Sequence, residues 1–491
     1  MYSRLLRHVL LPAAFRWRGR PYLDLAARIR RNQYRPRELT ADEQRARVRE
    51  LVRLATDEVA YYRERYRDLG SLEDLESLPV LTKEDLLLNF PDRMTAGRSR
   101  PGWQYVGTRG TTDRVMVVHD EARRDLEWAC RHVVMTEDSE YDLGKPIVLI
   151  PPDECSKLCA IEEKRETRVL GQVAAMTRES RLSDEASRAE LRRLVMESWI
   201  RRAVLLPPFG AEGSHIGEEK LDLYVKRIEE LRPVLLKALP EYLVAIARRL
   251  LRSSRPRPRV PVVKPMGSKL SPSLNAEIES AFRGTLREDY GSQEVGAMAF
   301  DCRYGRGLHI LEDSFLIEIA RDGERVPDGE LGVVLITDLE NRAMPLIRYR
   351  IGDVGRIDDS PCPCGRTSRR LFIEGRLEDT FVTPEGRART AETVGELLYR
   401  EPGIDDFQLV EGSDGFWELS YVARPEERVE EKALEEKIRR ELGIEGALRM
   451  RKVRTLLPES SGKFRHSKSR SFLRFDGASA SERAHEAEVG R

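Results

Sequence analysis

Apolar and polar positions repeat with two different periods along this chain of 491 residues. Apolar residues at helical spacing predict helices within residues 48–55, 191–200, 221–231 and 231–251, the last beginning after Pro240. Short runs rich in β-branched residues predict strands at residues 105–108, 115–119, 147–151 and 260–263. Because short strands alternate with helices, the pattern predicts a layered α/β architecture.

Two helix starts carry capping signals. Thr40, followed three residues later by Glu43, predicts a capping box at the start of the first long helix of the main domain. Thr82 precedes Glu84 and Asp85, which predicts a second capped helix with acidic residues in its first turn.

The composition changes near residues 375–376, and the pattern beyond it is that of a small α+β domain. Strands are predicted at residues 407–410 and 416–422, and a charged helix at 426–442. Turn signals lie at residues 384–386 and 413–415. We therefore divide the chain into a basic helical arm (1–39), a large N-terminal domain of several subdomains (40–376), a small C-terminal domain (377–475) and a disordered tail (476–491).

Overall charge narrows the range of partners. The 85 basic residues nearly balance the 84 acidic residues, so no nucleic-acid partner is expected. No run approaches the ~18 apolar residues of a spanning helix, and six unevenly spaced cysteines indicate a reducing, cytoplasmic location. The arm alone is strongly basic, with ten arginines and Asp24 as its one acid before residue 38. It could bind an anionic membrane surface, although we favour a helix packed on its own domain.

Three segments carry candidate nucleotide chemistry. The loop at residues 107–115 is rich in glycine and threonine, whose amides and hydroxyls can surround a phosphate, although Asp113 opposes this charge and a plain turn is the alternative. The segment 290–294 offers an aromatic face and a carboxylate, and its alternative is a strand-end turn with an exposed acid. Asp353 follows Gly352, so its carboxylate is suited to accept hydrogen bonds from two ribose hydroxyls, with a surface ion pair as the alternative.

The order of these segments resembles the adenylate-forming (ANL) superfamily, and most of all its phenylacetate-CoA ligase and capsule-biosynthesis-type branch. The strings that carry it are YGSQE at 290–294, LITDLENRAMPLIRYRIGDVGRID at 335–358 and SGKFR at 461–465. The resemblance spans about residues 40 to 472. It implies that ATP and magnesium activate a small-molecule carboxylic acid to an acyl-adenylate, which is then transferred to CoA. Transfer to an amine, a hydroxyl or a carrier-protein thiol, and a non-catalytic AMP-binding relative, are the alternatives; the acid and the oligomeric state stay open.

The resemblance also implies roles for individual residues. It gives Lys463 and Glu294 catalytic roles, with Glu294 holding magnesium, and it makes Glu378 the hinge of a mobile C-terminal lid. Tyr290 would stack on adenine, Asp353 would bind ribose, and Arg376 would reach the ribose and phosphate side. The full ATP- and AMP-binding set is Thr108, Gly110, Thr111, Thr112, Gly267, Ser268, Tyr290, Gly291, Ser292, Gln293, Arg350, Asp353 and Arg376.

Four further residues have the chemistry of a closed zinc site. Cys302 is followed by His309, and Cys362 and Cys364 come later as a Cys-x-Cys pair. Three thiolates and one imidazole are a tetrahedral ligand set, which predicts structural zinc with ligand atoms about 4 Å apart. The alternative is a group of ordinary buried thiols with a histidine nearby by chance.

Overall fold

The computed structural model describes residues 2–13, 21–69, 71–72, 74–97, 100–107, 114–139, 141, 144–151, 174, 202–207, 217–267, 269–412, 415–424, 427–454, 456 and 465–469. The predicted helix at 191–200, the predicted turn centre at 413–414 and the tail at 476–491 lie outside these residues. The chain falls into two compact units, Met1–Arg20 with Met135–Glu288, and Pro21–Val134 with Asp289–Arg491.

The first unit is built on a parallel sheet. Its described strands, in spatial order, are Ala203–Leu205, Ile147–Ile150, Leu235–Ala238, Val262–Pro265 and Thr285–Leu286. Its described helices are Tyr2–Leu5, Leu6–Leu10, Glu218–Leu231, Pro240–Arg252 and Pro272–Phe282. The strands are rich in aliphatic residues, as expected for a parallel sheet that is buried on both faces. Leu235, Leu236 and Val263 are accordingly buried completely, and the predicted α/β layering is confirmed here.

The second unit contains a large antiparallel sheet. Its described strands, in spatial order, are Glu324–Arg325, Phe315–Arg321, Gly332–Asp338, Tyr349–Asp358, Arg370–Arg376, Leu308–Ile310, Gly296–Asp301 and Asp289–Ser292. A separate hairpin pairs Gln104–Gly107 with Met116–His119. In the large sheet, the turn Asp322–Gly323 joins Phe315–Arg321 to Glu324–Arg325. Its φ values are 53° and 79°, the left-handed backbone that a two-residue turn between twisted strands requires.

Helices from the N-terminal part of the second unit pack against this sheet. The described helices here are Tyr22–Asn32, Arg37–Glu58, Ala60–Arg65, Leu75–Ser77, Lys83–Asn89 and Glu121–Thr136. The Tyr22–Asn32 helix buries Ala26 and Ile29, and Arg28 lies 3.7 Å from Asp313. This part of the basic arm therefore packs on its own domain. Among the described residues, no helix combines the length and the apolar character needed to cross a membrane.

The C-terminal elements have a hydrophobic core of their own. A mixed sheet runs in the order Leu448–Val453, Trp417–Ala423, Ile404–Glu411 and Ser467–Lys468, and a short hairpin pairs Phe381–Val382 with Ala388–Arg389. The helices Ala391–Tyr399 and Glu431–Leu442 pack on the sheet, and the turn Leu377–Asp379 precedes it. Phe407, Leu419 and Ile438 are completely buried between them. The elements are those of an α+β domain, while the boundary at residue 377 and the lid motion stay predictions.

Several predicted helix boundaries can be compared with the structure. Thr82 accepts the Asp85 N–H at 3.1 Å and Asp85 accepts the Thr82 N–H at 2.8 Å, so this capping signal is confirmed. The capping role of Thr40 is wrong, because the helix begins at Arg37 and Thr40 is buried inside it. Pro36 occupies the N-cap with φ of −51°, and its fixed φ suits the entry to a helix.

Two other boundaries shift. The predicted C-terminal helix starts at Glu431 rather than at 426. Val429 lies just before this start and packs against Gly403 and the domain core, so tertiary contact holds the chain outside the helix. The strand predicted at 260–263 is found at Val262–Pro265.

A buried ion pair fixes the sheet strand that leads into the candidate site. Arg348 is 1% exposed and adopts φ of +50°. Its guanidinium contacts the Glu318 carboxylate at 3.3 Å and donates to three carbonyls, those of Glu76, Leu78 and Gly323, at 2.6–2.7 Å. A charge that is buried this deeply needs such a full set of partners.

Replacing this arginine should destabilise the second unit. Arg348→Met leaves the Glu318 carboxylate and three carbonyls without their donor, so we expect a loss of about 3–5 kcal/mol in the free energy of unfolding. Urea denaturation measures this loss. Arg342→Met is the control, because Arg342 forms an exposed pair with Glu50 and should cost less than about 1 kcal/mol. Equal losses in both variants would contradict the prediction.

Candidate functional site

The antiparallel sheet curls so that distant strands meet. Tyr290 lies in the edge strand Asp289–Ser292, and Asp353 lies four strands away in Tyr349–Asp358. Strands four steps apart in a flat sheet would be separated by about 19 Å. The Tyr290 hydroxyl nevertheless donates to Asp353 Oδ2 at 2.7 Å. The curl therefore forms a concave corner, and side chains from both ends of the sheet converge in it.

The Asp353 carboxylate is held at both oxygens. Tyr290 donates to Oδ2, and Arg376 Nη1 donates to Oδ1 at 2.9 Å. Arg376 faces Asp353 directly across neighbouring strands. Gly352 has φ of +85°, and a Cβ there would stand 3.1 Å from Arg376 Nη2. Glycine thus gives both the bend and the room that this pair needs.

Electrostatics keep the two groups that donate to Asp353 protonated. Burial, followed by the adjacent Asp353 carboxylate, raises the pKa of Tyr290 well above its ordinary value. Burial alone would lower the pKa of Arg376, but Asp353 and Glu378 reverse this, and its pKa is raised. At neutral pH the phenol is therefore a donor and the guanidinium is charged. Each Asp353 oxygen keeps lone-pair capacity for further donors.

Glu294 lies in a tight turn that connects the two strands at the edge of the sheet. Its side chain is 9% exposed, and the Tyr349 hydroxyl donates to Glu294 Oε1 at 3.3 Å. Burial, and then the Glu294 charge, raise the pKa of Tyr349. Tyr349 and Asp353 lie on the same strand, Tyr349–Asp358. This strand therefore carries both the residue that contacts Glu294 and the carboxylate that contacts Tyr290.

Two buried residues behind Glu294 carry no signal in the sequence. His119 Nε2 lies 2.7 Å from the Glu294 carbonyl oxygen. Arg123 Nε donates to Asp338 Oδ2 at 2.6 Å, and its Nη2 donates to the Val295 carbonyl. Both contacts span more than 170 positions along the chain, so local patterns could not reveal them.

The remaining predicted site residues fall into three groups: those beside Tyr290 and Glu294, those elsewhere in the described chain, and those outside the described residues. Gly291 and Ser292 end the edge strand beside Tyr290, and Gln293 begins the turn that holds Glu294. The Arg350 N–H donates to the Leu81 carbonyl at 2.9 Å. Gly267, with φ of +91°, follows the strand Val262–Pro265 in the first unit. The predicted residues outside the described part of the chain are Thr108, Gly110, Thr111, Thr112, Ser268 and Lys463.

The predicted hinge lies in a short turn with its own ion pair. Glu378 is the middle residue of the turn Leu377–Asp379. Arg465 Nε donates to Asp379 Oδ1 at 2.6 Å, and Arg465 also donates to the Glu378 carbonyl. Arg465, two residues after Lys463 in the sequence, is therefore bonded to the turn that contains the predicted hinge.

The four candidate metal ligands converge. The ligand atoms of Cys302, His309, Cys362 and Cys364 all lie within 4.8 Å of one another. The sulfurs of Cys302 and Cys362 are 3.7 Å apart, and Cys364 Sγ is 3.3 Å from His309 Nε2. His309 Nδ1 lies 3.1 Å from Ser368 Oγ and 3.3 Å from its carbonyl oxygen. This second contact leaves Nε2 directed at the thiols, as in histidine metal ligands.

No protein-family model matches the chain. Phenylacetate-coenzyme A ligase from Thermus thermophilus is 26% identical over 226 residues, which are 42% of this chain and 51% of that protein. The phenylacetate-coenzyme A ligase of Escherichia coli is 30% identical over 196 residues, which are 35% of this chain and 44% of that protein. The chain thus spans about half the length of the curated relatives it matches.

Solved structures extend the likeness to nearly the whole fold. A crystal structure of 2-hydroxyisobutyryl-CoA ligase in the postadenylation state superposes with a TM-score of 0.64 at 17% identity, covering 91% of this chain and 92% of that one. A second structure of the same ligase in that state gives a TM-score of 0.61 at 18% identity, with 88% and 90% covered. Part of the chain is therefore similar in sequence to phenylacetate-coenzyme A ligases, and its fold is similar to that of 2-hydroxyisobutyryl-CoA ligase.

Proposed function

We propose that the chain is an AMP-forming carboxylate ligase that activates a small-molecule carboxylic acid with magnesium and ATP and passes the acyl group to coenzyme A. The observation that carries this proposal is the Asp353 carboxylate, fixed by Tyr290 and Arg376 in the concave corner of the sheet. The likeness of the chain to CoA ligases in sequence and fold supports the reaction class.

The reaction consists of two balanced steps. In the first, a carboxylate oxygen of the acid bonds to the α-phosphorus of ATP, and the bond from that phosphorus to the bridging oxygen breaks. Pyrophosphate leaves with the electron pair, and an acyl-adenylate remains. In the second, the thiol of coenzyme A loses its proton, sulfur bonds to the acyl carbon, and AMP leaves. Such displacement depends on positioning and on stabilising the charge that develops.

The corner supplies groups for the nucleotide. Asp353 would accept hydrogen bonds from the two ribose hydroxyls, while Arg376 keeps that carboxylate oriented and places positive charge on the phosphate side. The Tyr290 ring would lie against adenine, since an aromatic face suits a purine. The backbone N–H of Arg350, another residue of the predicted nucleotide-binding set, donates to the Leu81 carbonyl.

Glu294 fits a magnesium-binding role. Tyr349 contacts one carboxylate oxygen, and carboxylate oxygens are the ligands that a hard cation prefers. Magnesium bound there would neutralise charge on the phosphates. Lys463, which lies outside the described residues, takes by resemblance the second cationic role, bridging the substrate carboxylate and the α-phosphate.

We also propose that Cys302, His309, Cys362 and Cys364 bind structural zinc. A tetrahedral ion with metal–sulfur bonds of ~2.3 Å places its sulfurs about 3.8 Å apart, and the Cys302–Cys362 separation is 3.7 Å. Four protein ligands leave no position for substrate. The ion would join the loop after the Gly296–Asp301 strand to the loop before Arg370–Arg376, and so stabilise the side of the sheet that carries Arg376.

The activity is tested by measuring pyrophosphate release with ATP, magnesium and a panel of carboxylic acids. We expect release with at least one acid and formation of its CoA thioester. Lys463→Ala should lower ATP–pyrophosphate exchange about 100- to 1000-fold, because it removes a cation aimed at developing charge. Exchange near the parent rate would contradict that role. Release without thioester would direct the second step to an amine, hydroxyl or carrier thiol, and no release with any acid would favour a non-catalytic AMP-binding protein.

The ribose role of Asp353 is tested by calorimetry with ATP. Asp353→Ala leaves two hydroxyls without a charged acceptor, a loss of about 1.5–3 kcal/mol, or roughly a 10- to 150-fold weaker Kd. Asp359→Ala is the matched control, because Asp359 pairs with Arg37 at the surface, 2.9 Å away. Unchanged affinity in Asp353→Ala would remove the assignment.

The zinc site is tested by elemental analysis. We expect about one zinc per chain in the parent protein, and we expect Cys364→Ser to lose both zinc and thermal stability, with activity falling only as a consequence. Cys130→Ser is the control, because Cys130 is a buried thiol in another helix and its loss should not change the metal content. A parent protein prepared without chelators and found free of metal would overturn the site.

A further inference from the structure

We propose that His119 and Arg123 are positioning residues that fix the turn carrying Glu294, and thereby the carboxylate assigned to magnesium. The inference rests on the proposed function for the role of Glu294. The geometry that supports it lies entirely among described residues of the second unit, on the strand end and helix behind the site.

Three residues spaced four apart lie against three consecutive residues, two in the turn and one at the start of the next strand. His119 Nε2 lies 2.7 Å from the Glu294 carbonyl oxygen, and Arg123 Nη2 donates to the carbonyl of the next residue, Val295. At the following position, Gly296, an added Cβ would stand 2.7 Å from the Glu127 side chain. One stripe of residues thus follows the turn in register.

Arg123 is itself immobilised. Its guanidinium and the Asp338 carboxylate are both 0% exposed, and they are joined by a bond of 2.6 Å. The guanidinium also lies 5.3 Å from the centroid of the Phe315 ring. Asp338 ends the strand Gly332–Asp338, which is the third of the eight strands of the sheet. The carbonyl of Val295 is therefore anchored, through Arg123, to an interior strand of the sheet.

His119 is held in a defined tautomer. Its Nε2 faces a carbonyl oxygen, so Nε2 carries the proton and donates to Glu294. The ring therefore acts as a single fixed donor.

Packing alone would not require these groups. Buried polar and charged groups are costly unless they are hydrogen-bonded, and apolar residues would fill the same space at lower cost. Each of these two groups contacts a backbone carbonyl of the turn rather than the Glu294 carboxylate. On the other side, Tyr349 contacts the Glu294 carboxylate. The backbone and the carboxylate of Glu294 are thus held by separate contacts. A metal ligand needs such support because it must stay within ~0.5 Å of its productive position.

The test compares variants of His119, Cys130 and Gly296 with the parent protein by calorimetry, with a non-hydrolysable ATP analogue at increasing magnesium concentrations. His119→Phe fills the ring space but removes the donor. We expect the magnesium concentration for half-maximal analogue binding to rise about 10- to 100-fold, as for other losses of outer contacts to a metal ligand. His119→Gln keeps a donor at the Nε2 position and should return this value close to that of the parent. Affinity for AMP without metal should not change in either variant.

Cys130→Ala is the control for lost stability. Cys130 is buried in the helix Glu121–Thr136, which also carries Arg123. Its thiol lies 3.9 Å from the Ser314 hydroxyl rather than on the turn. This variant should unfold more easily with an unchanged magnesium requirement. If His119→Phe keeps the parent magnesium requirement, or if His119→Gln is no better than His119→Phe, the inference is wrong.

A backbone variant covers the case in which His119→Phe does not fold. Gly296→Ala removes no polar side chain, but its φ of +69° and the close Glu127 side chain force the turn away from His119 and Arg123. We expect the same rise in magnesium requirement, and an unchanged requirement would contradict the inference. A parent protein that binds the analogue without any magnesium dependence would instead contradict the role of Glu294 in the proposed function, and the inference with it.

Discussion

The curl of the antiparallel sheet is the constraint on which the site depends. Tyr290 and Asp353 lie on strands four positions apart, and a bond of 2.7 Å joins them. Any change that flattened the sheet would separate the aromatic ring from the carboxylate. Arg376 adds a second bond to Asp353 from the neighbouring strand, so the corner is closed from two directions and one carboxylate is held at both oxygens.

Two buried arginines stabilise the surroundings of this corner, and each lies close to a segment that carries a site residue. Arg348 is anchored on Glu318 just before Tyr349, and Arg123 is anchored on Asp338 behind Glu294. Each arginine also donates to backbone carbonyls of adjacent loops. Since an unpaired buried charge is strongly destabilising, these arginines keep loops and strands in one arrangement. Stability and the geometry of the site therefore depend on the same contacts.

The sequence predicted those features that depend on local chemistry. The capping box at Thr82 needs only residues three apart, and it is present. The Cys and His set was found because its ligand types are rare and specific, although its members are up to 62 positions apart in the chain. Thr40 failed as a cap because Pro36 begins the helix earlier. The contact of His119 with Glu294 joins residues 175 positions apart, and only the folded sheet brings them together.

A crystal structure with bound AMP would show directly where the ribose lies. We expect both ribose hydroxyls at about 2.6–3.0 Å from the Asp353 carboxylate oxygens. We also expect the adenine ring against Tyr290 and the phosphate on the side of Arg376. AMP bound elsewhere, or bound with its ribose turned away from Asp353, would contradict the assignment of this corner as the nucleotide site.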